Sequence, residues 1–270
     1  SSTERLTAST RNGLQLLDAK GTELARFNGN FSSLDTRAAG TQVLVASLDN
    51  DRQQAVLINL DASAKTFGTP LYLPTRDYPV NGLCLYRDGA AHLFVFLVGE
   101  EGKGEQWLVG NGATLLSEPQ RVRGLPLPPS AQFCQVDDTT HQLVVNEQNV
   151  GWWAYPAHPE AEVKRTPVAL FDNPKREAGA MALVPGGMVA LDPKTAQLHL
   201  FQQQMTGGGQ AGGGPAQAVR AGPRLRQQFG KIVADEGRCA DQQHWRIHHA
   251  GHRFYVAERV DTHGTQMRPQ

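Results

Sequence analysis

The chain has 270 residues, 40% hydrophobic and 19% charged, and its 26 basic and 26 acidic side chains balance to a formal net charge of +0. That length suits one large all-β domain or two ordinary domains. The neutral balance argues against a nucleic-acid partner, whose binders carry a basic excess on one face. No apolar run approaches the roughly 20 residues of a membrane-spanning helix.

The chain opens on Ser1-Ser2-Thr3 rather than Met, as a processed form or a fragment would, with no signal peptide in view. The first element is a hairpin: residues 14–17 and 23–27 flank the turn Asp18-Ala19-Lys20-Gly21. Residues 42–47 and 55–60 flank Asp49-Asn50-Asp51 in the same manner. Next come Leu83-Cys84-Leu85-Tyr86, the turn Asp88-Gly89, a strand at 93–98, a polar turn at 100–104 and a third strand around Trp107. The order repeats at 133–155, with a turn at Asp137-Asp138 and a last strand around Trp152, Trp153 and Tyr155. It repeats again at 181–201, with a turn at Pro185-Gly186.

Asp88, Asp137 and Pro185 lie 49 and 48 residues apart, and Trp107, Trp153 and His199 lie 46 and 46 apart. Short strands recurring at such a period are the signature of β-propeller blades, small twisted sheets that bury their faces only by stacking around an axis. Helical periodicity is nearly absent up to residue 203, so the expected class is all-β, with about five blade-like units in residues 1–203. A six-bladed ring would need roughly 300 residues at this period, so the ring is expected to be incomplete.

Residues 204–270 differ. Gly207-Gly208-Gly209 and Gly212-Gly213-Gly214 read as a flexible linker. The segment beyond it is rich in Arg, Gln and His, holds a single lysine (Lys231), and reads as a poorly ordered or non-native tail, as a frame-shifted terminus would. It carries His244, His248, His249, His252 and His263. Two of them at i, i+4 on a helix could hold a metal, but no acidic residue sits between them as HExxH requires. The three cysteines, Cys84, Cys134 and Cys239, cannot all pair internally and form no CxxC. Cys84 and Cys134 fall inside apolar strands and read as small buried hydrophobes.

An ordered series of short motifs from residue 5 to about residue 200 resembles the β-propeller phytases. Asn12 to Leu24 is similar to that family's first hairpin, and Ser32-Ser33-Leu34-Asp35-Thr36-Arg37 stands where the family has N-N-V-D-x-R. Asn81-Gly82-Leu83-Cys84-Leu85-Tyr86 resembles Y-G-x-x-L-Y, and Gly99 to Trp107 resembles x-K-E-G-x-x-E-Q-Y. Val122-Arg123 matches a V-R pair. Gln132-Phe133-Cys134-Gln135-Val136-Asp137-Asp138 resembles E-G-x-x-A-D-D, and Leu143-Val144-Val145-Asn146-Glu147-Gln148 resembles L-Y-I-x-E-E.

The resemblance implies a six-bladed propeller that removes phosphate from phytate or a related phosphoester through calcium ions in a central acidic cleft. Calcium would offset charge repulsion and activate water. Carried over residue by residue, Glu147 would be catalytic; Asp35, Glu147 and Gln132 would hold calcium; Arg11, Arg37, Arg52 and Asn81 would contact substrate. Several of these positions depart from the family pattern. Ser32 and Ser33 replace asparagines, Asn81 a tyrosine, Glu100 a lysine, Gln132 a glutamate, and Gln148, Arg176 and Ala178 acids. Calcium needs several oxygen ligands, usually including carboxylates. The expectation is therefore a phytase-type module with weak or no activity alone, resembling the incomplete front propeller of dual-domain members. The alternative is a non-catalytic binding or helper module for a downstream catalytic propeller. The implied location is secreted or periplasmic.

Structural roles stand beside these functional ones. Asp35, Asp137 and Asp138 could cap turns, Arg37 could form an ion pair, Glu147 could be a solvated edge charge, and the tryptophans could be blade core. A carbohydrate-active propeller lacks a matched pair of carboxylates.

Overall fold

The computed structural model describes residues 4–184, 187–195, 197–202, 218–220, 245–248 and 257–259. Strands fall into five antiparallel sheets, or blades, in chain order. Blade I holds β1 (Arg5–Ser9), β2 (Gly13–Leu17) and β3 (Glu23–Phe27); blade II holds β4 (Phe31–Ala39), β5 (Gln42–Asp49), β6 (Gln54–Asp61), β7 (Thr66–Phe67) and β8 (Leu71–Tyr72). Blade III is β9 (Val80–Arg87), β10 (His92–Gly99), β11 (Lys103–Asn111) and β12 (Thr114–Pro126). Blade IV is β13 (Cys134–Asp137), β14 (Gln142–Glu147), β15 (Gly151–Pro156) and β16 (Thr166–Leu170). Blade V is β17 (Met181–Val184), β18 (Gly187–Asp192), β19 (Gln197–Gln202) and β20 (Ala218–Arg220).

Two further strands, β21 (Trp245–His248) and β22 (Ala257–Arg259), extend blade I: β21 pairs antiparallel with β1, Leu6 opposite Ile247. Three short strands from 204–270 thus join sheets built by the earlier residues. The stretch Trp245–His248 is strand rather than helix. The Gly-rich linker, Cys239, His244, His249, His252 and His263 lie outside the described residues.

Each hairpin follows from local chemistry. An aspartate ends a strand in one blade after another and turns the chain with its own side chain: Asp18 Oδ1 accepts the N–H groups of Lys20 and Thr22, both at 2.8 Å. Asp61, Asp88 and Asp137 do the same for Ser63, Ala90 and Thr139. These are Asx turns, in which a short acceptor replaces a backbone one. Asp137 is therefore a turn cap, whereas its neighbour Asp138 is not, as described below.

The apolar cores lie between blades, four of them in succession. Leu14, Val45, Val56 and Ile58 join blades I and II; Leu57, Leu85, Val95 and Trp107 join II and III. Tyr86, Phe96, Leu143 and Val145 join III and IV, and Trp152, Met188 and Phe201 join IV and V. Fully burying one such side chain stabilises the fold by about 1.5–3 kcal/mol, so each interface is a sizeable hydrophobic contribution. Trp107 and Trp152 are blade core; Trp152 packs edge-on to Phe171 and Phe201 at 5.3 and 5.5 Å.

One expectation is corrected here. Cys84 and Cys134 are joined in a disulfide, with Cα atoms 5.8 Å apart. They stand on β9 and β13, neighbouring first strands of successive blades, because their separation of 50 residues is one blade period. Closing a loop of that length removes about 4 kcal/mol of chain entropy from the unfolded state in the simple loop model. The Cys84→Ala/Cys134→Ala double variant is expected to unfold at lower denaturant, with about 2–4 kcal/mol lost. Urea melts with and without a reducing agent check it: reductant lowers the midpoint of the parent and leaves the variant unmoved.

Candidate functional site

The first strands β4, β9, β13 and β17, with part of β1, surround an axial cavity of about 960 Å³ to which all five blades contribute residues. Among the residues whose side chains are described, its charged lining is Glu4, Asp35, Arg37 and Asp138. Local geometry on β4 sets two of these. The β4–β5 register slips between Ser32 and Asp35, and Ser33 takes a left-handed φ of 57°. The Ser47 hydroxyl donates to the carbonyls of Ser32 and Ser33 at 3.1 and 2.7 Å and pins the bulge. A bulge re-aims the side chains that follow it, and here those are Asp35 and Arg37.

Arg37 is the centre of a three-blade network. Its Nε donates to Asp138 Oδ2 at 2.8 Å, and Nη1 donates to Asp35 Oδ1 at 3.0 Å and the Thr36 carbonyl at 2.9 Å. Its Nη2 reaches the carbonyls of Leu85 (2.5 Å) and Val136 (3.1 Å) and Asp138 Oδ1 (3.2 Å). A guanidinium has five N–H donors, and each of them faces a protein acceptor. The carboxylates are occupied as well. Asp35 accepts the Thr36 and Leu85 N–H groups, both at 2.7 Å, and Asp138 accepts the Arg87 N–H at 3.1 Å. Burial opposes the Arg37 charge, yet Asp35 and Asp138 outweigh it and hold the guanidinium pKa above its ordinary value.

Asp35, Arg37, Asn81 and Gln132 all line this cavity. Asn81 and Gln132 are exposed. A Cβ on Gly82 would collide with the Gln132 carbonyl, so this glycine lets β9 approach the segment before β13. Glu147 stands elsewhere. Its Oε2 accepts the Trp153 indole N–H at 2.6 Å and lies 3.6 Å from Arg165, beside a separate depression lined by Pro126, Pro128 and Tyr155. Arg165 stacks 4.1 Å from the centre of the Trp153 ring. Glu147 is thus part of a Trp–Arg clasp on blade IV, apart from the residues that line the axis.

Arg52 is exposed on the β5–β6 turn, 3.6 Å from Asp49 and 4.7 Å from the centre of the Tyr72 ring. Arg11 is exposed in the β1–β2 turn, where its backbone N–H donates to Ser9 Oγ at 3.1 Å. Neither lines the axial cavity. Arg176, at a position where the family pattern has an acid, pairs with buried Asp192 at 3.0 Å and contacts His199 Nε2 at 2.6 Å. Sequence reasoning missed Asn146, which is buried. Its Oδ1 accepts the Gln132 and Phe133 N–H groups and its Nδ2 donates to the Ala178 carbonyl, tying blade IV to blade V. The signal was an amide in an otherwise apolar strand, Leu143-Val144-Val145-Asn146.

Asp35, Gln132 and Glu147 do not form one oxygen cage for calcium. Glu147 is off the axis, and both oxygens of Asp35 are turned to protein donors beside a fixed positive charge. Among the described residues no three His, Cys, Asp or Glu side chains converge as a metal-holding group. No step is assigned to a calcium ion on this donor set.

No family model matches the chain, and no curated protein matches it. Among solved structures it is similar to the β-propeller domain of Cps50 (Swd1) from Myceliophteria thermophila. The identity is 12%, over 96% of this chain and 83% of that one, with a TM-score of 0.53. A chain of a nidogen/laminin complex is 10% identical over 74% of this chain and 89% of its own, with a TM-score of 0.47. The sheets and the first of these neighbours define the class: an all-β protein of β-propeller architecture, with five blades among the described residues.

Two variants test the electrostatics. Arg37→Met leaves the buried Asp35 and the half-buried Asp138 carboxylates without their cation and is expected to cost about 3–5 kcal/mol in a denaturant melt. Burial, and next the Arg176 charge, hold the His199 pKa below its ordinary value. The unfolded chain therefore takes up the proton first on acidification. Stability is expected to fall as pH drops from about 7 to about 5. Melts of the parent and of His199→Gln across that range check this, the variant losing less.

Proposed function

We propose that the chain is a phytase-type propeller module that performs no hydrolysis and serves as a non-catalytic partner of a catalytic propeller domain. The phytase-type part of the reading rests on the ordered motif series, whose Asp35, Arg37, Asn81 and Gln132 share one axial cavity. One observation carries the non-catalytic part: every N–H of Arg37 is committed to Asp35, Asp138 and three backbone carbonyls. A phosphate would have to displace those partners and expose two carboxylates to its own charge. Among the residues whose side chains are described, the lining sets three carboxylates against one arginine, a balance that does not favour a polyanion.

The buried Cys84–Cys134 bond supports folding in an oxidising compartment and so a secreted or periplasmic location. A downstream catalytic propeller is the partner this reading calls for.

Phosphate release from phytate, measured with calcium for this chain alone and for the chain joined to a catalytic propeller, tests the proposal. The expected outcome is no release by the chain alone. Phosphate release by the chain alone overturns the reading.

A further inference from the structure

The axial cavity holds more apolar surface than its charged node suggests. Leu6, Leu34, Val43, Phe133, Met181 and Leu183 all line it while remaining half-buried. They come from β1, β4, β5, the segment before β13, and β17, so the apolar wall runs around the axis. Its volume of about 960 Å³ is at the upper end of the roughly 300–1,000 Å³ usual for small-molecule sites. Such sites combine an apolar wall with a few placed polar groups. The polar groups not locked into the Arg37 network include the carboxamides of Asn81 and Gln132, both on the cavity lining. A carboxamide donates and accepts without charge. Glu4 is paired with Lys65 at 2.7 Å.

From these features we infer that the axial cavity is a binding site for an uncharged, mainly apolar small molecule ending in a hydroxyl or amide. The apolar body lies against Leu34, Val43, Met181 and Leu183, and the polar end meets Asn81 and Gln132. An anionic end is disfavoured, because Asp35 and Asp138 face the same space and Arg37 has no donor to offer it. The inference deepens the non-catalytic reading by naming the ligand class, and it rests on that reading.

The test uses the full chain and an uncharged fluorescent probe, N-phenyl-1-naphthylamine. Titration is expected to give saturable binding at one site per chain, with micromolar affinity. 1-Dodecanol is expected to displace the probe at least tenfold more effectively than dodecanoate, and phytate is expected not to displace it. Leu34→Gln and Met181→Gln should each weaken the probe at least fivefold, while Leu24→Gln on the outer surface leaves it unchanged. Dodecanol and dodecanoate compete in the unaltered chain, so that arm stands if a variant fails to fold. Non-saturable binding, equal displacement by dodecanoate, or displacement by phytate overturns the inference. Its failure is distinguishable from that of the non-catalytic reading, which fails only by phosphate release.

Discussion

A blade of four short strands has two apolar faces and can cover neither by itself, so each core among the described residues lies between two sheets. Leu57 and Trp107 are buried because blade II meets blade III, and Trp152 because blade IV meets blade V. The first strands are thereby drawn to a common axis, where backbone and polar side chains crowd together. The Arg37 network is the answer to that crowding. Carbonyls of Leu85 and Val136 point at the axis from different blades, and a single guanidinium satisfies both while holding two carboxylates. Buried polar groups left unpaired cost free energy, so the network and the blade packing depend on each other.

That arrangement also decides the chemistry open to the cleft. A guanidinium with a spare donor could grip an anion bidentately; one whose five donors all face protein acceptors is part of the scaffold. The cavity is left with half-buried apolar walls, the carboxylates around Arg37 and the neutral amides of Asn81 and Gln132.

Much of this was legible in the sequence. The five units, their turn aspartates and the all-β class followed from a period of 46 to 49 residues and from strands broken by Asp-containing turns. Other features were not legible, each for a physical reason. Cys84 and Cys134 read as hydrophobes because their strand environments are apolar; only the stacking of equivalent strands brings the sulfurs together. Asp138 reads as half of a turn, and its role depends on an arginine 101 residues away. Glu147 sits beside Asn146 in one strand, but alternation sends neighbouring side chains to opposite faces, so one ties blade V and the other clasps Trp153.

The disulfide restricts how such a molecule can gain or lose repeats. Its two sulfurs stand on adjacent blades, and Arg37 spans blades II to IV. Duplicating a unit anywhere within that trio would insert a full sheet between partners that must touch. Blades II, III and IV therefore behave as one indivisible block under recombination. The flanks, where blade IV meets blade V through Asn146 and blade I meets blade II through aliphatic contacts, are where a lineage can add or shed a unit without breaking a covalent bond.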